Sequence, residues 1–148
     1  MSLRIGEVAK QCGVSRDTIR HYEKLGLVVS VRRTAAGYRV FRKEDIERIH
    51  LVRNAVRFGF SLIELTKFLR ARDNGKPPCQ FVRSTAGRIL DDINREIADL
   101  TVARKAIEAT LTEWDRRLAG AFPAMPARLL ESLPDDLPAR PKFARKNH

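Results

Sequence analysis

Two thiols are the most reactive side chains in the 148-residue chain. Cys12 shares an apolar helical face with Ile5, Val8 and Ala9, where a free cysteine behaves as a small buried hydrophobe. Cys79 follows Pro77 and Pro78 at the expected start of a long helix. The positive end of the helix dipole there favours a thiolate, and with it metal ligation or oxidation. Two widely separated cysteines make no disulfide framework and fit a reducing compartment. Among the histidines, His21 reads as exposed helix surface or a nucleic-acid contact, and His50 as a structural or solvated residue. No nucleophile, base and orienting group occur together, no glycine loop cradles a phosphate, and no paired carboxylates stand out. An enzyme is therefore not expected.

The remaining chemistry is cationic. The formal net charge is +11, from 29 Lys+Arg and 18 Asp+Glu. Residues 1–72 hold 16 basic against 7 acidic residues, whereas 73–118 hold 8 against 8 and 119–148 hold 5 against 3. A positive field concentrated in the first half suits a polyanion, because neutralising phosphates releases condensed counterions. A merely basic surface would spread the excess evenly. No apolar run is long enough to cross a membrane, the amino terminus carries no secretory signal, and no basic amphipathic helix offers a membrane-insertion face. The expected location is the cytoplasm, at the nucleoid.

Elements that position these charges are marked by punctuation. A helix from Ile5 to Cys12 ends at Gly13. Ser15 caps a second helix, through Thr18, Ile19 and Tyr22 to about Leu25, which Gly26 stops. Two short helices around a glycine turn make a helix-turn-helix candidate. Val28, Val29 and Val31, the loop Arg32–Gly37, and Tyr38–Phe41 read as a β-hairpin with a basic tip, a wing beside the helix pair. A third helix from Lys43 to Phe58 sets Ile46, Ile49, Val52 and Val56 on one face and ends at Gly59. Ser61 with Glu64 forms a capping box for a fourth helix reaching about Arg72.

Residues 73–78 read as a linker because consecutive prolines cannot sit inside a helix. From 79 to 118 the period becomes a heptad: Ala86, Ile93, Leu100, Ile107 and Trp114 at a, and Leu90, Ile97, Arg104, Leu111 and Leu118 at d. Only Arg104 interrupts an apolar seam. About 38 helical residues at roughly 1.5 Å each are too long for one small domain, so a partner helix in a two-fold dimer is expected. Residues 119–148 form a loop, a short helix and a basic, proline-containing tail expected to be disordered.

Read in order, Ile5-Gly6-Glu7-Val8-Ala9, Gly13-Val14-Ser15, Thr18-Ile19-Arg20-His21-Tyr22-Glu23 and Gly26-Leu27 resemble the opening of the MerR family of bacterial transcription regulators. Gly37-Tyr38-Arg39 resembles that family's wing, and Gly59-Phe60-Ser61-Leu62 its junction into the fourth helix. The resemblance implies a mainly α protein, with winged helix-turn-helix domains joined by an antiparallel coiled coil. Such a dimer binds a pseudo-palindromic duplex between promoter elements and reaches RNA polymerase indirectly, by distorting the DNA in response to an effector. The alternative is an architectural DNA-bending or partner-recruiting protein with no effector.

On a recognition helix, Arg16, Thr18, Arg20 and His21 are the polar residues available to base edges. By family position, Arg20, Tyr22, Tyr38 and Arg39 carry over as backbone contacts; Ser15 caps the recognition helix, and Ser61 opens a helix whose amides suit a phosphate. Tyr22 has an equally plain reading as packing between helix and wing. Leu90, Ile93, Ile97, Leu100, Ile107, Leu111 and Trp114 are the expected dimer contacts. Cys79 matches a cysteine of the metal-sensing members, where two further cysteines follow the dimerisation helix. The corresponding stretch, Leu118–Leu133, contains none. One thiolate per protomer does not build a selective Zn²⁺ site, and a Met125 thioether would suit only a soft ion such as Cu⁺. A metal through Cys79, modification of its thiol, and an organic ligand, a protein partner or no effector all stay open.

Overall fold

Glycine and serine punctuation sets the first helices. In the computed structural model, which describes residues 2–28, 32–120 and 127–139, helix α1 runs Ile5–Cys12 and ends on Gly13 in the left-handed conformation, φ 64°. A side chain there would be strained. Helix α2 runs Arg16–Lys24, its N-cap Ser15 accepting the Thr18 N–H at 3.0 Å.

The wing differs from its sequence reading. Strand β1, Leu3–Arg4, was not foreseen; it pairs antiparallel with β3, Arg39–Phe41, matching Leu3 to Phe41 and Arg4 to Val40. Strand β2 is Arg32–Arg33, inside the stretch expected to be loop, and it pairs with Val40 and Arg39. The sheet order is β1-β3-β2. Val29 and Val31 lie outside the described residues, and Val28 is buried in the core. The valine run thus signalled burial at Val28 as much as β propensity. The tip closes where Thr34 N–H donates to the Tyr38 carbonyl at 2.9 Å and Gly37 N–H to the Thr34 carbonyl at 2.8 Å.

Helix α3 spans Lys43–Phe58 and helix α4 Leu62–Asp73. One core joins Val8, Ala9 and Cys12 of α1, Ile19 and Tyr22 of α2, Phe41 of β3, Ile46, Ile49 and Val52 of α3, and Leu65 and Leu69 of α4. Val56, assigned to the same α3 face, is half-buried. Two arginines of α3 fasten the recognition elements from behind. Arg48 donates to the Leu27 carbonyl at 2.7 Å and forms a bidentate pair with Asp73, both contacts 2.7 Å. Arg53 donates to the Cys12 carbonyl at 2.6 Å. The Arg48 hydrogen bond holds the Asp73 carboxyl below its ordinary value.

The capping box forms as read: Ser61 Oγ accepts the Glu64 N–H at 3.1 Å, and Glu64 accepts the Ser61 N–H at 2.9 Å. Burial pushes the Glu64 carboxyl up, but its bonds to Ser61 and the Arg88 guanidinium outweigh that and lower it. Its stabilisation is therefore present above the ordinary carboxylate range and lost as the pH falls through the lowered value. Ser61→Ala is expected to cost about 1 kcal/mol, read as a lower urea midpoint at unchanged slope.

Helix α5 covers Cys79–Gly120, and a short 3₁₀ turn covers Leu130–Ser132. The chain divides into two compact units between Ile89 and Leu90, inside α5. In the second unit Leu90, Ile93, Ile97, Ile107, Leu111 and Leu118 are exposed, and Leu100 is half-buried. Trp114 departs from this stripe. Its indole N–H donates to Ser132 Oγ at 3.1 Å, so it faces the carboxy-terminal segment. Among the described residues no helix is long and apolar enough to cross a membrane.

Candidate nucleic-acid interface

The two arms of the interface are α2 and the β2-β3 wing. On α2, Arg16, Arg20 and His21 are exposed. Arg20 pairs with Asp17 at 2.8 Å, but the two side chains are 51% and 88% exposed, so this pair yields readily to a phosphate. Thr18 is half-buried, and its hydroxyl lies 2.8 Å from Ser15 Oγ. Both hydroxyls are occupied with building the helix start. Tyr22 is 4% exposed and belongs to the core, so its burial supports the packing role. Burial also raises its hydroxyl pKa, against an opposing effect of Arg53.

On the wing Tyr38 is 57% exposed. Arg39 reaches back to Glu23 of α2 at 3.0 Å, a partly buried pair that ties wing to recognition helix. The two residues lie 16 positions apart in different elements, so no local motif encodes the pair. The other Glu23 oxygen, Oε1, is buried with no hydrogen-bond partner among the described residues. Arg32 and Arg33 on β2 add to the wing, with Arg33 donating to the Gly37 carbonyl at 3.2 Å, and Arg4 on β1 flanks it, its guanidinium 5.1 Å from the Tyr38 ring centre. Arg4 escaped the sequence reading because its strand did.

Ser61 is exposed at the start of α4, as expected, but its cap already brings the Glu64 carboxylate to that helix end. The interface otherwise presents cations and hydrogen-bond donors from a helix and an adjacent ribbon, the groups that duplex phosphates and groove edges accept.

Cys12 is fully buried, and burial raises its thiol pKa despite nearby Arg53, whereas Cys79 is free and exposed. A thiol-specific reagent is expected to label one cysteine per native chain quickly and the second only on unfolding; fast labelling of both would contradict this packing. Among the described residues no three His, Cys, Asp or Glu side chains gather as a metal cluster. Met125 lies outside the described residues.

Comparison with known proteins agrees with this architecture. Residues 3–72 match the MerR HTH family regulatory protein model, and residues 46–110 match the model described as MerR, DNA binding. The chain is 37% identical over 117 residues to a mercuric resistance operon regulatory protein of Bacillus cereus, covering 79% of this chain and 86% of that one. It is similar to the Bacillus megaterium MerR regulator solved with mercury(II), at 31% identity and TM-score 0.57, covering 88% and 98% of the two chains. It shares a fold with HiNmlR, a MerR family regulator lacking the sensor domain and solved on promoter DNA, at 24% identity and TM-score 0.57, covering 86% and 98%. A helix-turn-helix with its wing, followed by a long helix and matched by both family models, makes this chain a member of the MerR family of DNA-binding transcription regulators, not an enzyme.

Proposed function

We propose that two copies of the chain grip a pseudo-palindromic promoter duplex and distort it, so that RNA polymerase responds through the DNA. The observation that carries this reading is the Arg39–Glu23 pair. It fixes a basic wing against a helix presenting Arg16, Arg20 and His21, so two contact surfaces act as one body. In this reading 1–72 is the DNA-binding unit, 73–78 the linker, 79–118 the dimerisation helix and 119–148 an appended segment. The exposed α5 stripe supports a coiled-coil dimer, since a second copy buries apolar side chains that one chain leaves in water, and family membership implies that its helices run antiparallel. Arg20 and His21 address base edges, with Arg16 beside them at the start of the helix; Arg39 and Tyr38 address the backbone, Tyr22 and Thr18 hold the recognition helix in place for them, and Ser15 and Ser61 set helix starts. The work is done at the nucleoid, in the cytoplasm.

Relatives are named for mercury and heavy-metal response, which makes a metal effector the natural comparison. The donors here do not fit such a site: Cys79 is one exposed thiol, Cys12 is in the core, and the full sequence has no third cysteine. Effector response then rests on the Cys79 thiol, as ligand to a soft metal ion or as a modified residue, or on a non-metal ligand. Transcription in vitro from a promoter bearing a duplex selected by the chain tests the reading, run without additive, with Hg²⁺ and with a thiol-alkylating reagent. A transcript change that the protein causes, and that Cys79→Ser separates from thiol reagents, is expected. DNA bending with no change in transcript under any condition would favour the architectural alternative.

A further inference from the structure

We infer that β1 and the first turns of α1 and α2 form an additional phosphate grip, in which Arg4 and Arg16 hold the duplex backbone where it passes between recognition helix and wing. This rests on the DNA-binding reading above. An open groove of about 420 Å³ lies at that seam, lined by Arg4, Gly6, Arg16, Tyr38 and Arg39 among others. Three separate elements thus bring guanidinium groups to one concavity.

The charges there are left available. Arg4 lies over the Tyr38 ring, which orients a cation without neutralising it. Neither Arg4 nor Arg16 has a carboxylate partner among the described residues, whereas Arg39 shares its charge with Glu23. The acid at the rim, Glu7, is engaged with the Arg4 backbone N–H at 2.8 Å. Gly6 makes the arrangement possible. A Cβ at that position would stand 2.9 Å from Arg16 Nη2, so the missing side chain lets the Arg16 guanidinium lie along the first turn of α1. Arg16 therefore belongs to the backbone grip more than to base readout, and Tyr38 works as the platform under Arg4.

Such a grip predicts a counterion signature. The full chain is titrated with a duplex it selects from a random library, and log affinity is plotted against log salt for wild type, Arg4→Gln, Arg4→Lys and Gly6→Ala. Arg4→Gln is expected to flatten the slope by about 2 per dimer, at roughly 0.9 per phosphate, and to weaken selected and scrambled duplexes alike by on the order of tenfold. Arg4→Lys should keep most of the slope. Gly6→Ala should weaken binding at an unchanged melting temperature, because it displaces only the flexible end of Arg16. An unchanged slope in Arg4→Gln would overturn the inference, as would equal losses in Arg4→Gln and Arg4→Lys accompanied by a lower melting temperature. Displacement of DNA by inorganic phosphate at matched ionic strength would reassign the groove to a free anion. A wild-type slope near zero would remove the DNA-binding reading itself, an outcome distinct from failure of Arg4 alone.

Discussion

On the dimer proposed above, Ile97→Asp with Leu111→Asp is expected to leave a monomer of the 16.9 kDa chain mass where wild type sediments as a dimer, read by sedimentation equilibrium. Both residues lie on the exposed stripe of α5, 56% and 49% exposed in the single chain. Full burial of such an aliphatic side chain is worth about 1.5–3 kcal/mol, so a half-exposed one still gains roughly 1 kcal/mol when a second helix covers it. The two substitutions remove four such contributions from a two-fold pair and place four carboxylates in the seam. The folded units should survive, because these side chains face water in one chain and α5 satisfies its own backbone. DNA affinity should fall roughly 10²–10⁴-fold, the loss expected when two linked half-sites become separate binding events. A variant that stays dimeric, or a monomer that binds DNA as tightly as wild type, would contradict the assignment.

Phe41→Ala should unfold the DNA-binding unit most readily among single core changes. Phe41 is fully buried and lies on the central strand of the sheet, where it pairs with Leu3. Large-to-small replacement of a buried phenylalanine costs about 3–5 kcal/mol, against a total of roughly 5–15 kcal/mol for a typical domain. The same residue anchors the strand that carries Arg39, so urea midpoint and DNA affinity should fall together. A loss below about 1 kcal/mol would mean that the wing is packed independently of the helices.

Helix ends were legible in the sequence because their causes are local. Lys43–Phe58 follows from an apolar 3,4 pattern and Gly59, and the start of α4 from Ser61 and Glu64, whose reciprocal bonds span three residues. Cys12 was legible as core from its neighbours on one helical face. Two-residue strands carry no period, so β1 went unseen and β2 was placed too early. The pairings that shape the interface join distant parts of the chain: Arg39 with Glu23, Arg48 with Asp73, and Arg4 with Tyr38. No spacing rule encodes them. The Trp114 indole bond to Ser132 joins residues 18 apart, and a heptad pattern carries no signal for it.

Footprinting of the full chain on a duplex it selects from a random library distinguishes a two-fold grip on distorted DNA from any other mode of binding. Two protected half-sites related by two-fold symmetry are expected, with cleavage at the uncovered centre altered by distortion and protection lost steeply as salt rises. A single asymmetric footprint with an undisturbed centre, or protection indifferent to salt, would contradict it.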